Sequence, residues 1–216
     1  KGIARVETEK GPFVVFVQNA FPGQTVDAQV AKCKSRHAEC RLLKVVEQAP
    51  FEVELPHQPI PGAPYATVPM DVQHEWKECT ALDLYRKIGG VEDIDTLYQG
   101  FVPSPLSWHY RNKMEYSFSE IRHDLDTDEK VDDFGLGFKH RGTWWAVENL
   151  DADSGLFDDV VESTLHDVRA WCESTGLPAW HPPKREGFFR FLVVRKSYAH
   201  DALLVNLVTT SDAPLD

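Results

Sequence analysis

"WHYRNKMEYSF", residues 108–118, decides how the second half of this chain is read. Arg111, Asn112 and Lys113 stand in a row, and strict alternation follows. Met114, Tyr116 and Phe118 are apolar; Glu115, Ser117 and Ser119 are polar. A period of two marks a strand with one face on a core and one face away from it. A polar, mostly cationic triplet therefore sits at the mouth of a half-buried strand.

Working outward, the same pattern recurs. "GLGFKHRGTWWAVE" predicts a hairpin turning near Arg141-Gly142, and "FFRFLVVRK" with "ALLVNLVTT" predicts a second around Tyr198–Asp201. Helical spacing appears twice. Met70, Val72, Trp76, Cys79, Leu82, Tyr85 and Ile88 form one stripe, ended by Gly89-Gly90. Phe157, Val160, Val161, Leu165, Val168, Trp171 and Cys172 form another, stopped by Gly176 and Pro178. Residues 70–216 thus read as an α+β domain with a mostly antiparallel sheet and two main helices. Residues 51–69 carry five prolines and a glycine, which excludes a helix or central strand and predicts a linker. Residues 1–50 read as short strands around a Pro22-Gly23 turn, as expected of a small OB-like β-barrel.

With 216 residues and 42% hydrophobic content the chain can build real cores, and it has no apolar run of the ~20 residues a membrane helix needs. It opens at Lys1 rather than Met and is read as a piece of a longer protein. Cys33, Cys40, Cys79 and Cys172 form no C-x-x-C pair and read as reduced thiols of a cytoplasmic protein. No two of the nine histidines have a metal-binding helical spacing, so no metal site is expected.

A net charge of -11 opposes nucleic-acid binding at long range, but the charge is segregated. Residues 30–45 hold five basic residues and one acid, whereas residues 151–167 hold six acids and no Lys or Arg, so a local basic face can exist. No G-x-S-x-G elbow appears, and the glycines of "GLGF" at 135–138 lie inside a strand rather than in a phosphate-binding loop. The candidate site residues are cations at strand ends and turns: Lys32, Lys34, Arg36, Arg111, Lys113, Lys139, Arg141, Arg190 and Arg195, with Asn112 beside them. Tyr110, Trp144, Trp145 and Phe188 lie next to several. Cations neutralise phosphate and rings stack on unpaired bases, the pairing that single-stranded RNA requires.

"YRNKMEYSF" at 110–118 resembles a strand of the RNA (uracil-5-)-methyltransferase family. Five further stretches are similar to that family in the same order: "GIAR" at 2–5, "FVQNAFPGQTVDAQV" at 16–30, "AECRLLKV" at 38–45, "LGFKHRGTWWAVEN" at 136–149 and "GFFRFLVVR" at 187–195. Gln73 and Lys77 resemble its Q-x-x-x-K helix start. The resemblance implies an N-terminal TRAM domain, a central RNA-binding domain and a partner RNA, ribosomal rather than transfer RNA because transfer-RNA members often lack the barrel. It implies S-adenosylmethionine as cofactor of the full-length protein, used to make 5-methyluridine in 23S ribosomal RNA. The catalytic and cofactor-binding domain would follow residue 216, so these residues are expected to be inactive alone. Many members hold an iron–sulfur cluster on cysteines; here the corresponding stretches carry none, so no cluster is expected. The alternatives are a transfer-RNA methyltransferase and a stand-alone RNA-binding module. A cytoplasmic monomer is expected.

Overall fold

The computed structural model describes residues 1–9 and 11–211; residues 212–216, the end of the expected second domain, lie outside them. The chain divides into two units, residues 1–54 with 67–99 and residues 55–66 with 100–211. No helix among the described residues is long and apolar enough to cross a membrane.

The first unit holds β1 (Gly2–Thr8), β2 (Gly11–Gln18), β3 (Thr25–Cys33) and β4 (His37–Glu47). The Pro22-Gly23 turn forms as its sequence demands, with Gly23 at φ 86° and the Gln24 amide donating to the Phe21 carbonyl. The strands order β1-β2-β4-β3, with β2 and β4 parallel. The expected barrel is corrected here: no pairing of β1 with β3 closes this sheet among the described residues. Its core is small, centred on Val17, Ala20, Ala38 and Cys40.

The helix α1 (Met70–Lys87) forms, and Gly90 at φ 67° ends it. The expected boundary at residue 70 does not hold, because α1 groups with the first unit. Trp76 explains this: its ring lies 5.2 Å from that of Phe51 and 6.1 Å from that of Phe21. The apolar stripe of α1 is not buried; Tyr85 and Ile88 are exposed, and Trp76 supplies the anchor instead. A short α2 (Ile94–Leu97) follows. The proline-rich segment is no free linker either, since residues 55–66 belong to the second unit.

The second unit contains β5 (Lys113–His123), β6 (Lys130–Lys139), β7 (Val147–Asn149), α3 (Asp159–Ser163), α4 (Leu165–Ser174), β8 (Phe189–Ser197) and β9 (Ala202–Thr209). Both expected hairpins form. The sheet order is β6-β7-β5-β8-β9, antiparallel except for one β5–β7 bridge, so both sheets are mixed. In β6, Gly137 is required by space: a Cβ there would lie 1.9 Å from the Glu148 carbonyl oxygen. The single helix expected over 157–175 is two helices. Asp158 caps α3 by accepting from the Val161 amide, and Thr164 interrupts the run. The architecture is therefore α+β, with four helices among the described residues rather than two.

The alternation of β5 sends Met114, Tyr116 and Phe118 into a core shared with Phe157, Leu165, Cys172 and Phe189. Burial raises the Cys172 thiol to about 11, which leaves it inert at neutral pH. Glu162 is fully buried at the same place. It accepts from the Tyr116 hydroxyl (3.1 Å), the Ser154 amide (2.7 Å) and the Ser154 hydroxyl (3.0 Å). Burial pushes its carboxyl above the usual range, and the three donors oppose that rise. Nearby, the Lys196 ammonium pairs with Asp158 and holds its carboxyl below the usual range.

Tyr116→Phe removes one donor without leaving a cavity and is expected to cost about 1–2 kcal/mol. Glu162→Ala strands the Ser154 amide and the Tyr116 hydroxyl and is expected to cost more, about 3 kcal/mol. Urea denaturation measures both; a neutral Tyr116→Phe would show that this network does not hold the unit together. The Asp158 contribution is fully present above about pH 4, the ordinary aspartate value, and is lost as pH falls below it. Asp158→Asn is therefore expected to flatten the acid limb of stability against pH.

Candidate nucleic-acid interface

Of the polar positions of β5, Glu115 is exposed, but the two serines do not face water as alternation suggests. Ser117 and Ser119 are buried and floor a cleft of about 360 Å³ in the second unit. Ser119 accepts from the Ile121 amide and donates to the Trp145 carbonyl, which fixes the β6–β7 connection over this floor. That connection supplies Trp144 and Trp145, with Lys139 at the end of β6.

The opposite wall is the loop "WHPPKREG", residues 180–187. The Trp180 amide donates to the Phe189 carbonyl, and the Trp180 carbonyl accepts from the Glu120 amide, so its backbone is pinned to the sheet from two sides. The loop closes through the His181 amide on the Glu186 carbonyl. Gly187 stands at φ 121°, where a Cβ would meet the Ala179 carbonyl oxygen at 2.1 Å. This turn presents Arg185 to the cleft.

Arg190 is placed by an irregularity. The register between β8 and β9 slips between Phe189 and Phe191, leaving Arg190 as the extra residue. A bulge of this kind re-aims a side chain. The Arg190 guanidinium lies 4.0 Å from the Trp180 ring centroid, stacked by a cation–π contact. Its Nε is buried and has no hydrogen-bond partner among the described residues. An unmet buried donor calls for an acceptor. Lys139, Arg185 and Arg190 thus converge with three tryptophans and Phe191, and among the described residues no acidic side chain lines the cleft. On a chain of net charge -11 this is a local reversal of sign.

Of the residues expected from sequence, Lys139 and Arg190 meet here, with Trp144 and Trp145. Arg141 does not; its guanidinium donates to the Pro61 carbonyl. Phe188 is buried and cannot stack on a ligand. Arg111, Asn112 and Lys113 lie at the other end of β5, four residues or about 13 Å of strand from Ser117 when counted from Lys113. Their backbone is tied down: the Arg111 amide donates to the Leu156 carbonyl, and the Tyr198 hydroxyl donates to the Arg111 carbonyl. The Arg111 and Asn112 side chains are exposed, while Lys113 is paired with Glu115 at 3.2 Å and stands opposite Arg195. Lys32 lies near the end of β3, and Lys34 and Arg36 on the β3–β4 turn of the first unit; all three are exposed, with no ion pair among the described residues. Sequence reasoning missed Trp180 and Arg185. The signal was a Pro-Pro pair followed by Lys-Arg, which makes a rigid cationic turn beside a tryptophan.

No family model matches the chain. Among curated proteins it is similar to an uncharacterized RNA methyltransferase of Chlorobaculum tepidum, 32% identical over 214 residues, which span 94% of this chain and 44% of that protein. A second, from Clostridium tetani, is 29% identical over 203 residues, spanning 91% of this chain and 41% of that protein. The chain therefore spans less than half the length of the curated relatives it matches. Among solved structures it is similar to the Pyrococcus abyssi tRNA (uracil-54, C5)-methyltransferase in complex with S-adenosyl-L-homocysteine. The TM-score is 0.65 at 22% identity, covering 98% of this chain and 46% of that one, and the likeness is one of fold. The relationship in sequence is thus to RNA methyltransferases.

Proposed function

We propose that this chain is the RNA-recognition part of an RNA methyltransferase that uses S-adenosylmethionine to methylate uracil at C5. The cleft carries this reading. Three cations, three tryptophans and no acid suit an unpaired nucleotide, with its base stacked on a ring or on the guanidinium plane of Arg190 and its phosphate on Lys139 or Arg185. The names of the sequence relatives support RNA as the partner. The S-adenosyl-L-homocysteine held by the structural neighbour supports the cofactor of the whole protein.

Within this reading the 216 residues bind RNA and do not transfer a methyl group, and the protein carries no iron–sulfur cluster. The whole protein acts in the cytoplasm as a monomer. The strand mouth Arg111–Lys113 and the turn Lys32–Arg36 serve as secondary phosphate contacts. A 23S ribosomal RNA is the expected substrate. Transfer RNA is the second reading, favoured by the neighbour: its likeness covers 98% of this chain, first unit included. The presence of that unit therefore does not separate the two RNA classes.

Fluorescence anisotropy with a short unpaired uridine-containing RNA tests the cleft. Trp144 is exposed, so Trp144→Ala is expected to fold normally and to weaken binding about 5- to 100-fold, the loss of one stacked base. Replacing Lys139 and Arg185 together by Ala is expected to flatten the slope of log affinity against log salt by about 1.4, at ~0.7 per phosphate. Lys87→Ala, on α1, should change neither. If both cleft variants keep the parent affinity and slope, the cleft is not the RNA contact. The double change of Arg111 and Lys113 to Ala reads the strand mouth in the same way. Competition between a transfer-RNA transcript and a ribosomal RNA fragment separates the two classes.

A further inference from the structure

Away from the cleft, three side chains from distant parts of the sequence meet at one point in the second unit. His57 comes from the proline-rich segment, His109 from the residues before β5, and Asp153 from the connection that precedes α3. Their ligating atoms all lie within 4.8 Å of one another. One carboxylate oxygen, Asp153 Oδ2, is 2.9 Å from His57 Nδ1 and 3.0 Å from His109 Nε2. We propose that His57, His109 and Asp153 form a binding site for one divalent transition-metal ion of the zinc class. The spacing that argued against a metal looked for two histidines on one helix; here each ligand comes from a different loop.

The donor chemistry fits. Two imidazole nitrogens and one carboxylate oxygen suit zinc and its first-row neighbours, and do not suit magnesium or calcium, which want oxygen ligands. A tetrahedral ion with bonds of about 2.0–2.1 Å holds its ligand atoms roughly 3.3 Å apart. The two observed separations from Oδ2 lie slightly inside that value and reach it with a small outward shift. As arranged, each imidazole must point an N–H at the same oxygen. A divalent ion replaces those two protons and satisfies all three groups at once. His57 is mostly covered, at 15% side-chain exposure, but His109 and Asp153 are at 41% and 27%. Water can therefore complete the coordination from one side.

The site is built into the backbone. Gln58, next to His57, donates its side-chain amide to the Asn149 carbonyl and accepts from the Asp151 and Ala152 amides; its own amide donates to the Asp153 carbonyl. These four bonds lace residues 57–58 to residues 149–153. Asp153 Oδ1 is occupied by the Gly155 amide, which leaves Oδ2 for the histidines. His109 stands at φ 52°, in the left-handed region that residues other than glycine adopt uncommonly. It is held at both ends, since its amide donates to the Gly155 carbonyl and its carbonyl accepts from the Tyr198 hydroxyl. The Trp108 ring packs on that of His57 at 4.6 Å. Gly155 must be glycine, because a Cβ would lie 2.5 Å from the His57 ring and 2.7 Å from that of Trp108. Asp153 thus has an outer partner in the Gly155 amide, and the His57 ring is held by its packing on Trp108.

Titration calorimetry of the metal-stripped protein with zinc chloride at neutral pH tests the proposal, with cobalt absorption as the spectroscopic readout. One zinc per chain is expected, together with visible cobalt bands and no heat with magnesium. His109→Ala touches an exposed ligand and is expected to fold normally by circular dichroism. It should weaken zinc binding by more than the roughly 10- to 100-fold that loss of an outer partner costs, and abolish the cobalt bands. Asp153→Asn should do the same. Cys33 and Cys79 are exposed free thiols, a ligand type zinc also takes, so binding that survives in both variants would assign the ion to them and overturn the proposal. Absence of binding to the parent protein would overturn it as well, leaving a hydrogen-bonded His-Asp-His cluster.

Discussion

A single buried carboxylate organises the second unit. Glu162 lies on α3 with no solvent exposure, and it binds the hydroxyl of Tyr116 on β5 and both donors of Ser154. An ionisable group in that position is costly unless its oxygens are filled, and here each oxygen accepts at least one hydrogen bond. The carboxylate thereby fixes α3 against the central strand and fixes the connection that precedes it. Both sites depend on those two placements. Tyr116 orients β5, whose next residue, Ser117, begins the floor of the cleft on the opposite face. Ser154 fixes the position next to Asp153, whose oxygen meets His57 and His109.

The cleft sits on one outcome of an alternation. On β5, the apolar residues and the two serines go to different layers, and neither set faces open water. The apolar set packs against the helices. The small polar set lies under Trp145, Trp180 and Arg190, where a larger side chain would fill the cleft. Serine suits this place because it is small and because its hydroxyl can satisfy backbone groups nearby, as Ser119 does for Ile121 and Trp145. The bulge at Arg190 then turns a cation from the sheet toward a tryptophan ring rather than into bulk water.

Electrostatics explains how such a surface exists on an acidic chain. Many acids are engaged locally: Asp133 and Asp124 hold Arg122, Asp158 holds Lys196, and Asp83 holds Lys87 and Arg86. Among the described residues, the cations that line the cleft are not drawn into such pairs. At physiological ionic strength a charge is felt over about 8 Å, so the local set matters more for a bound nucleotide than the total of -11.

The sequence by itself determined the local structure of this chain. Period two in residues 113–119, the Pro22-Gly23 turn, the Arg141-Gly142 hairpin and the Gly89-Gly90 stop all form, because each depends on neighbours within a few residues. It also named Lys139, Arg190, Trp144 and Trp145, since cations and rings at strand ends are visible as residue types. Tertiary structure alone decided the rest. Trp76 drew α1 to the first unit, a choice between two surfaces that helical periodicity does not distinguish. Thr164 and the Asp158 cap split one expected helix into two. Arg185 and Trp180 became cleft walls through a turn whose shape depends on Gly187 and the β8 register, and Arg141 left the site for a carbonyl 80 residues away. His57, His109 and Asp153 are 52 and 44 residues apart along the chain. No spacing rule reports a cluster of that kind, because its geometry is set by three loops that meet only after the sheet and the buried Glu162 have brought them together.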